Sequence, residues 1–335
     1  MSASGPVREV VCIGASAGGI EPLKQIVRHL PADFPAAVFV VLHVPESGTS
    51  VLPNILGRAG TLPASHALDG DPIRAGHVYV APPGYHLTLE PQRMRLLRGA
   101  RENGHRPAID PLFRSAALAF SDRSVGVILS GLLDDGTIGL REIKRAGGTA
   151  IVQDPADAEW PSMAMSALAN VSIDYRLPAG EIGDLLAQLV AGEKVRVPGG
   201  TGELGRAATE LRNITMQTDE RDKTGSPSPY SCPECGGVLW EMRDGELLRF
   251  RCRVGHAYTS DALTTEQADT IEKALWTALR ALEEQSALKR RLAERARTQG
   301  NDTIAKQFED RSELLAAQSQ QVRELLLVGV GAEQS

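Results

Sequence analysis

Long apolar runs are missing from this sequence of 335 residues. No segment approaches the roughly 18 to 20 uninterrupted apolar residues that cross a bilayer, and the N-terminus, with Gly5-Pro6 ahead of the first strand pattern, lacks the features of a signal peptide. An excess of positive charge is missing too, because the formal net charge is -6. A protein that neutralises phosphates needs a basic face. We therefore expect a cytoplasmic protein without membrane insertion and without nucleic acid as a partner.

Cysteine and histidine are scarce, with four and seven residues respectively. Three of the four cysteines lie between positions 232 and 252, and in a reducing compartment such a cluster indicates metal binding rather than disulfides. The remaining Cys12 is predicted to be a buried strand residue. The apolar fraction of 42% is ordinary. The length allows two domains, or one large domain with an appendage.

Short segments rich in Val, Ile and Ala alternate with helical patterns from position 7 to about 190, which predicts a doubly wound α/β fold with a mostly parallel sheet. Strands are predicted at 9–13, 36–42, 77–81, 87–89, 124–130 and 149–153. Helices are predicted at 20–30, 110–121, 139–146 and 180–190. Residues 61–108 interrupt the alternation with Gly, Pro and His. We interpret them as an inserted hairpin and loop region with a functional role.

Four segments follow from these patterns. Residues 7–192 form the α/β domain, and 193–230 are a Gly-, Pro- and Ser-rich linker with a short polar helix around 204–215. Residues 231–260 form a compact cysteine-containing unit, and 261–330 form a helical hairpin that breaks at Gly300. The hairpin carries two apolar stripes that need a partner surface. Their members are Ile271, Leu275, Leu279 and Leu282, then Ile304, Phe308, Leu314, Leu315, Val322 and Leu325.

Ser16 lies in Gly14-Ala15-Ser16-Ala17-Gly18-Gly19, between the first strand and the first helix. This spacing is that of the Gly-x-Ser-x-Gly nucleophile elbow, in which small neighbours permit a tight turn that exposes the hydroxyl. The alternative is a Rossmann-type phosphate loop. That alternative is weaker because serine stands where the second glycine belongs, and His43 ends the second strand in place of an acidic residue.

A serine nucleophile needs a base and an acid that orients the base. His43 is favoured as base because it directly follows the strand expected beside the first one, while His86 and His105 stay open as alternatives. Candidate acids that follow strands are Asp134, Asp135 and Asp154, which position alone does not rank. Because the carboxyl ends of parallel strands meet at one edge, such residues converge there.

A second site is predicted at Cys232, Cys235, Cys252 and His256, which have the form C-x2-C followed by C-x3-H. Zn²⁺ prefers four tetrahedral sulfur and nitrogen ligands, so this set predicts a structural zinc ribbon built on a hairpin over 237–251. The alternatives are a redox-active cysteine pair or free buried thiols.

Residues 8–190 resemble the catalytic domain of the chemotaxis receptor methylesterases of the CheB type. The resemblance rests on five ordered motifs: Gly-Ala-Ser-Ala-Gly-Gly at 14–19, His-Val-Pro at 43–45, Gly-His-Val-Tyr-Val-Ala-Pro at 76–82, His105-Arg106-Pro107 with Asp110, and Asp135-Gly136. A zinc ribbon with a helical tail also occurs in stand-alone relatives of this methylesterase, which agrees with the predicted second site.

The resemblance implies an esterase that hydrolyses γ-glutamyl methyl esters on chemoreceptors and releases methanol, with glutamine deamidation as an additional activity of some members. It implies Ser16 as nucleophile, His43 as general base and Asp135 as orienting acid, with no cofactor for catalysis. The oxyanion is expected to be held by backbone N–H groups of Ala17 and Leu132. The residues expected to line the substrate cleft are His105, Arg106 and Asp110. The expected partners are a methylated chemoreceptor-like protein and, through the C-terminal helices, a signalling protein or a second copy.

Three departures from the family pattern bear on this expectation. Asp134 replaces an asparagine beside Asp135, and we expect its carboxylate to point outward. Met163-Ala164-Met165 stands where the family has Met-Pro. The α/β domain begins within the first ten residues, whereas the usual members carry an N-terminal phospho-receiver domain, so control by an attached receiver is not expected.

Three other functions stay open from the sequence. The fold and ribbon could serve as a non-catalytic adaptor, although an intact serine, histidine and aspartate argue against this. The same triad could hydrolyse another protein ester or a small-molecule ester. A nucleotide-binding regulator would retain NAD or ATP.

Overall fold

The computed structural model describes residues 8–46, 48, 50–192, 225–244 and 247–329. The chain divides into two compact units, Met1–Leu263 and Thr264–Ser335. Most of the predicted linker, including the helix expected around 204–215, lies outside the described residues. None of the helices in the described ranges is both long and apolar enough to cross a membrane.

The first unit is built on a seven-stranded sheet in the order β3-β4-β2-β1-β7-β8-β9. Every pair of neighbours in this sheet is parallel. The central strands are fully buried, which explains their near-continuous apolar sequences. The strands are β1 (Val10–Ala15), β2 (Ala37–Leu42), β3 (Ala64–His66), β4 (Val78–Val80), β7 (Ser124–Ile128), β8 (Thr149–Gln153) and β9 (Tyr175–Leu177).

Helices cover both faces of the sheet, as a doubly wound fold requires. One core forms against α1 (Ile20–Arg28), α2 (Leu52–Ala59) and α6 (Ala179–Val190). The other forms against α3 (Ile109–Phe120), α4 (Thr137–Arg145) and α5 (Ser162–Asn170). Alternate residues of β1 enter opposite cores, because successive strand side chains point to opposite faces. Cys12 is fully buried among them, as predicted.

The region 61–108 is more regular than predicted. It adds the two strands β3 and β4 to the main sheet and then forms an antiparallel hairpin of β5 (His86–Glu90) and β6 (Arg93–Leu97). The hairpin packs on the second core through Leu87, Leu89 and Met94. The loop at 98–108, called the 98–108 loop below, leads from this hairpin to α3.

A four-stranded antiparallel sheet completes the first unit, in the order β10-β11-β12-β13. Its strands are β10 (Ser226–Ser231), β11 (Val238–Asp244), β12 (Leu247–Cys252) and β13 (Ala257–Thr259). We call this sheet the ribbon. Strand β10 begins at Ser226, inside the segment that the sequence predicts as linker. Its Pro227 and Pro229 are tolerated there because β10 is an edge strand.

The second unit is a helical hairpin, as predicted, in which most of α7 (Ser260–Thr298) runs antiparallel to α8 (Asp302–Gly329). Arg297 pairs with Glu309 near the turn, and Ser286 and Ser312 exchange hydrogen bonds further along. Only some members of the two predicted apolar stripes are buried. Leu279 and Leu315 are buried. Small residues occupy much of the remaining contact, whereas the exposed stripe members are Ile271, Ile304, Leu314 and Leu325.

Candidate active site

Three adjacent strands place the predicted serine, histidine and aspartate at one edge of the sheet. Ser16 follows β1, His43 follows β2, and Asp135 lies in the turn between β7 and α4. Since β2, β1 and β7 are neighbours and parallel, their carboxyl ends meet in the crevice where open α/β sheets bind ligands. The turn after Ser16 requires Gly18, whose φ is +69° and whose absent Cβ would come within 2.8 Å of Ser130 Oγ.

The three side chains form one hydrogen-bonded series. Ser16 Oγ lies 3.0 Å from His43 Nδ1, and His43 Nε2 lies 2.8 Å from Asp135 Oδ2. An ionised carboxylate only accepts hydrogen bonds, so the Nε2–H donates to Asp135 and leaves the Nδ1 lone pair facing the serine hydroxyl. The side chains of His43 and Asp135 are 5% and 2% exposed, so water does not compete for this contact.

Asp135 is surrounded by donors. Its carboxylate accepts the backbone N–H of Ile109 at 2.6 Å and the Nδ2–H of Asn103 at 3.0 Å, besides the His43 contact. Burial alone opposes ionisation, but the hydrogen bond and charge of His43, together with Ile109 N–H, lower the pKa of the Asp135 carboxyl. The aspartate is therefore an anion that accepts the hydrogen bond of His43 Nε2.

The turn after β7 lies against Ser16. A side chain at Gly131 would place its Cβ 2.8 Å from Ser16 Cβ and 2.0 Å from Met163 Sδ, so only glycine fits this approach. Gly131 N–H is already used, since it donates to the Trp160 carbonyl at 2.9 Å. Within the described part of the chain, no acceptor engages the N–H of Ala17 or of Leu132. Both predicted oxyanion donors therefore have their N–H groups available.

Two of the three residues expected to line the cleft lie in the 98–108 loop. The His105 ring stacks on the His43 ring with 3.7 Å between centroids and 17° between planes. Burial, and then the charge of His43, lowers the pKa of His105 to about 4, so its ring is neutral at pH 7. Arg106 pairs with Glu46 at 2.9 Å, which links the loop to the chain that follows His43.

Asp110 does not line an open cleft, contrary to expectation. It is 1% exposed and lies in the first turn of α3, where its Oδ1 accepts the N–H of Gly139 at 2.7 Å. Burial and the neighbouring charge of Asp135 raise the pKa of Asp110 to about 7. The helix turns this carboxylate into the interior and thereby holds α3 to the start of α4.

The expectation for Asp134 is also wrong, because its carboxylate does not point outward. It is 6% exposed and accepts the Thr259 hydroxyl of β13 at 2.8 Å. Burial raises the pKa of Asp134 to about 6 against the effect of this hydrogen bond. The other candidate acid, Asp154, pairs with Arg176 at 3.3 Å. Both ring nitrogens of the alternative base His86 are engaged, by Ala100 O and by Ala108 N–H.

Sequence reasoning missed Asn103 and Thr259. Asn103 is 6% exposed, has φ +51° and touches Asp135, whereas Thr259 touches Asp134 from the ribbon. The Asn103-Gly104 dipeptide carries a weak signal, since this pair is typical of left-handed turns. The sequence offers no comparable sign for Thr259, because its contact joins positions 125 residues apart.

The second predicted site is assembled in the ribbon. The ligand atoms of Cys232, Cys235, Cys252 and His256 all lie within 4.8 Å of one another. His256 Nδ1 faces the sulfur atoms of Cys252 and Cys232 at 3.4 and 3.6 Å. Ligands around a tetrahedral ion with Zn–S bonds of about 2.3 Å are separated by about 3.8 Å. The four residues therefore fit a metal ion of this size.

A doubly wound parallel sheet with a serine, a histidine and an aspartate in contact at its strand ends is the architecture of a serine hydrolase. The family model for the CheB methylesterase matches residues 11–186, just over half of the chain. The crystal structure of the Thermotoga maritima CheB methylesterase catalytic domain is similar, with 35% identity and a TM-score of 0.53. That match covers 56% of this chain and 100% of that one. The chain belongs to the CheB methylesterase family.

Two curated relatives show how far the similarity extends. A protein-glutamate methylesterase/protein-glutamine glutaminase of Anaeromyxobacter dehalogenans is 42% identical over 181 residues, which are 54% of this chain and 53% of that protein. A Leptospira interrogans protein, provisionally assigned the same two activities, is 39% identical over 182 residues, which are 54% of this chain and 94% of that protein.

Proposed function

We propose that this protein is a protein-glutamate methylesterase that acts on a methylated chemoreceptor-like protein. The observation that carries the proposal is the series Ser16 Oγ, His43 Nδ1, His43 Nε2 and Asp135 Oδ2, with separations of 3.0 and 2.8 Å. A nucleophile in contact with a base that an ionised acid orients is an activated nucleophile. An adaptor would not need this series.

In the acylation step Ser16 Oγ attacks the γ-ester carbonyl while His43 Nδ1 takes the hydroxyl proton. The N–H groups of Ala17 and Leu132 stabilise the negative oxygen that forms. The tetrahedral intermediate then collapses, and the proton passes from His43 to the departing methoxide, which leaves as methanol. Asp135 stays ionised and stabilises the imidazolium.

Deacylation repeats the same steps with water. His43 removes a proton from the water that attacks the acyl-enzyme, a second oxyanion forms at the same N–H groups, and Ser16 leaves with the proton. The products are a glutamate carboxylate and the free enzyme. No cofactor enters either step.

A second activity, hydrolysis of glutamine side chains, is supported by the double name of the Anaeromyxobacter relative. An amide carbonyl forms the same acyl-enzyme, and the proton on His43 then goes to departing ammonia. The same reaction mixture therefore tests both activities if methanol and ammonia are measured together.

Exposed apolar side chains on the turn at Gly131 and on residues 160–165, whose Met163 lies against that turn, support a protein substrate. Leu132, Trp160 and Met165 are 47%, 42% and 56% exposed, and the Trp160 carbonyl holds the Gly131 turn. A methylated glutamate on a receptor helix would bring neighbouring helix residues onto this surface. Ile271 and Trp276 of α7 are exposed as well, which supports protein contact or self-association through the C-terminal helices.

We further propose that Cys232, Cys235, Cys252 and His256 hold a structural Zn²⁺. The donor set has three sulfurs and one nitrogen, and no position of a tetrahedral ion is left for substrate. His256 Nε2 lies 3.2 Å from Glu234 Oε2, and a metal-bound histidine commonly gives its other N–H to a carboxylate.

The test is methanol release from methylated receptor cytoplasmic fragments by the wild-type chain and by Ser16→Ala. We expect release by the wild type and loss of about 10³-fold or more in the variant. Ser319→Ala, in α8, is the matched control and should keep the wild-type rate. Folded wild-type protein that releases no methanol from any methylated receptor would favour the adaptor or a different ester.

A further inference from the structure

Asn103 occupies a strained and buried position beside the proposed triad. It lies in the 98–108 loop with φ +51°, a region that asparagine tolerates better than most residues, and it is 6% exposed. Its Nδ2–H donates to Asp135 Oδ1 at 3.0 Å and lies 3.4 Å from Asp110 Oδ2. Asn103 is thus a neutral donor between two carboxylates.

The ribbon holds the other side of Asn103. The backbone N–H of Asn103 donates to the Ala257 carbonyl at 2.8 Å, and its side-chain Oδ1 accepts the N–H of Thr259 at 3.1 Å. Both partners belong to β13, which begins directly after the predicted metal ligand His256. Every hydrogen-bonding group of the Asn103 side chain is therefore used, by the triad acid on one side and by the ribbon on the other.

Further contacts join the ribbon to the same loop and to the turn that carries Asp135. Ala257 N–H donates to the Arg101 carbonyl at 3.3 Å, and Arg101 Nη1 lies 3.5 Å from Glu234 of the ribbon. The Thr259 hydroxyl donates to Asp134, the neighbour of Asp135. Since all these groups belong to the first unit, the ribbon is part of the surroundings of the active site.

We infer that Asn103 is a positioning residue for the carboxylate of Asp135 and that ribbon strand β13 holds Asn103 in place. This inference rests on the proposed triad. His43 and the Ile109 N–H approach one oxygen of Asp135, while Asn103 Nδ2–H holds the other at 3.0 Å, closer than the Asp110 N–H at 3.4 Å, so Asn103 helps to give the carboxylate one orientation toward the imidazole. The ribbon then contributes to catalysis without touching substrate.

The test uses a fluorophosphonate probe, which forms a covalent bond to an activated serine oxygen with loss of fluoride and needs no receptor. Asn103→Asp keeps an oxygen for Thr259 N–H and tolerates the left-handed backbone, but it lacks the N–H donor to Asp135. Asn103→Gly keeps the backbone and removes both contacts. We expect labelling of Ser16 to slow by about 10- to 100-fold in each variant at pH 8, since a hydrogen bond to a charged group is lost.

The pH dependence separates positioning from a general structural defect. A protonated Asp side chain can donate to Asp135, so the rate of Asn103→Asp relative to wild type should rise as the pH falls from about 8 to about 5.5, whereas that of Asn103→Gly should stay constant. Two results would contradict the role of Asn103. One is a wild-type labelling rate in both variants, and the other is a labelling rate relative to wild type that is the same in both variants and does not change with pH.

The role of the ribbon is tested by hydrogen exchange with the ribbon destabilised, either by a chelator or by Cys235→Ser, which alters an exposed side chain. We expect faster exchange at Asn103 and slower Ser16 labelling, with β1 and β7 still protected. If hydrogen exchange at Asn103 stayed unchanged while the ribbon strands lost protection, the role of the ribbon would be contradicted.

The labelling and methanol-release experiments together distinguish failure of the proposed function from failure of this inference. Labelling that follows these expectations, with no methanol from any receptor, would contradict the substrate and leave the positioning role intact. Wild-type protein that is not labelled at Ser16 would contradict the triad and the inference with it.

Discussion

At the scale of single residues, the pKa values of three neighbouring carboxyl groups differ because the groups have different hydrogen-bond partners. All three are buried, and burial alone raises the pKa of an acid. Asp135 receives several donors, and its pKa is lowered. Asp110 and Asp134 receive fewer and have pKa values raised to about 7 and about 6. The charge is therefore concentrated on the carboxylate that faces His43, as the proposed mechanism requires.

His105 gives a prediction at this scale. Its pKa of about 4 makes it neutral at pH 7, so its stacking on His43 does not depend on charge. His105→Phe should keep kcat/KM for methanol release within about threefold, because an aromatic ring still covers the imidazole. His105→Ala should lower it by about tenfold, because water then reaches the His43–Asp135 contact. A Phe variant as slow as the Ala variant would show that a ring nitrogen of His105 is needed.

The sequence indicated Ser16, His43 and Asp135 because each follows a strand and strand order brings their ends together. It did not show where Asp134 and Asp110 point. Asp134 is turned inward by the Thr259 hydroxyl, and Asp110 by the N–H of Gly139. Such contacts depend on packing between distant segments, which neither spacing nor periodicity reports.

At the scale of elements, the buried carboxyl of Asp134, in the turn after β7, accepts a hydrogen bond from Thr259 of strand β13. The pKa of Asp134 is raised from its ordinary 3.8 to about 6, so the folded state binds this proton more tightly than the unfolded state does. That stabilisation is fully present below about pH 4 and is lost as the pH rises through about 6, a change on the order of 3 kcal/mol.

Asp134→Asn should therefore stabilise the protein at high pH. The amide cannot ionise, and its oxygen still accepts the Thr259 hydroxyl. We expect a free energy of unfolding about 1–3 kcal/mol above wild type at pH 8, and a gain that disappears toward pH 4. Urea unfolding across this range measures it, and Asp33→Asn, an exposed residue with the same charge change, is the control. An equal effect of both substitutions would assign the gain to net charge.

Elements with strong apolar patterns were predictable, whereas short or small-residue elements were not. Strands β3 and β9 have three residues each, too few for a periodic signal. Helix α2 has only eight residues and contains Pro53 and Gly57, which weaken a helix prediction, and α5 is rich in alanine and serine, so its apolar stripe is weak. Strand β10 alternates serine with proline, a composition typical of linkers, and becomes a strand only because β11 pairs with it.

At the scale of the whole molecule, the ribbon and the α/β domain form one compact unit, so the predicted metal and the proposed triad are linked through a few contacts. Glu234 forms one of these links. Its carboxylate lies 3.2 Å from His256 Nε2 and 3.5 Å from Arg101 Nη1 of the 98–108 loop. One side chain therefore contacts a metal ligand and the loop that carries Asn103.

Glu234→Gln should weaken metal binding without removing a ligand. The amide cannot orient His256 as strongly as a carboxylate, and loss of such a partner costs about 10- to 100-fold in metal affinity. Zinc competition with a chelating dye measures this, and Glu241→Gln on β11, whose carboxylate faces Arg243, is the matched control. If the ribbon holds the loop, Glu234→Gln should also speed hydrogen exchange at Asn103 when zinc is limiting, and saturating zinc should reverse this. Equal zinc affinity in both variants would show that Glu234 does not support the metal site, and the link from metal to loop would then pass through β13 alone.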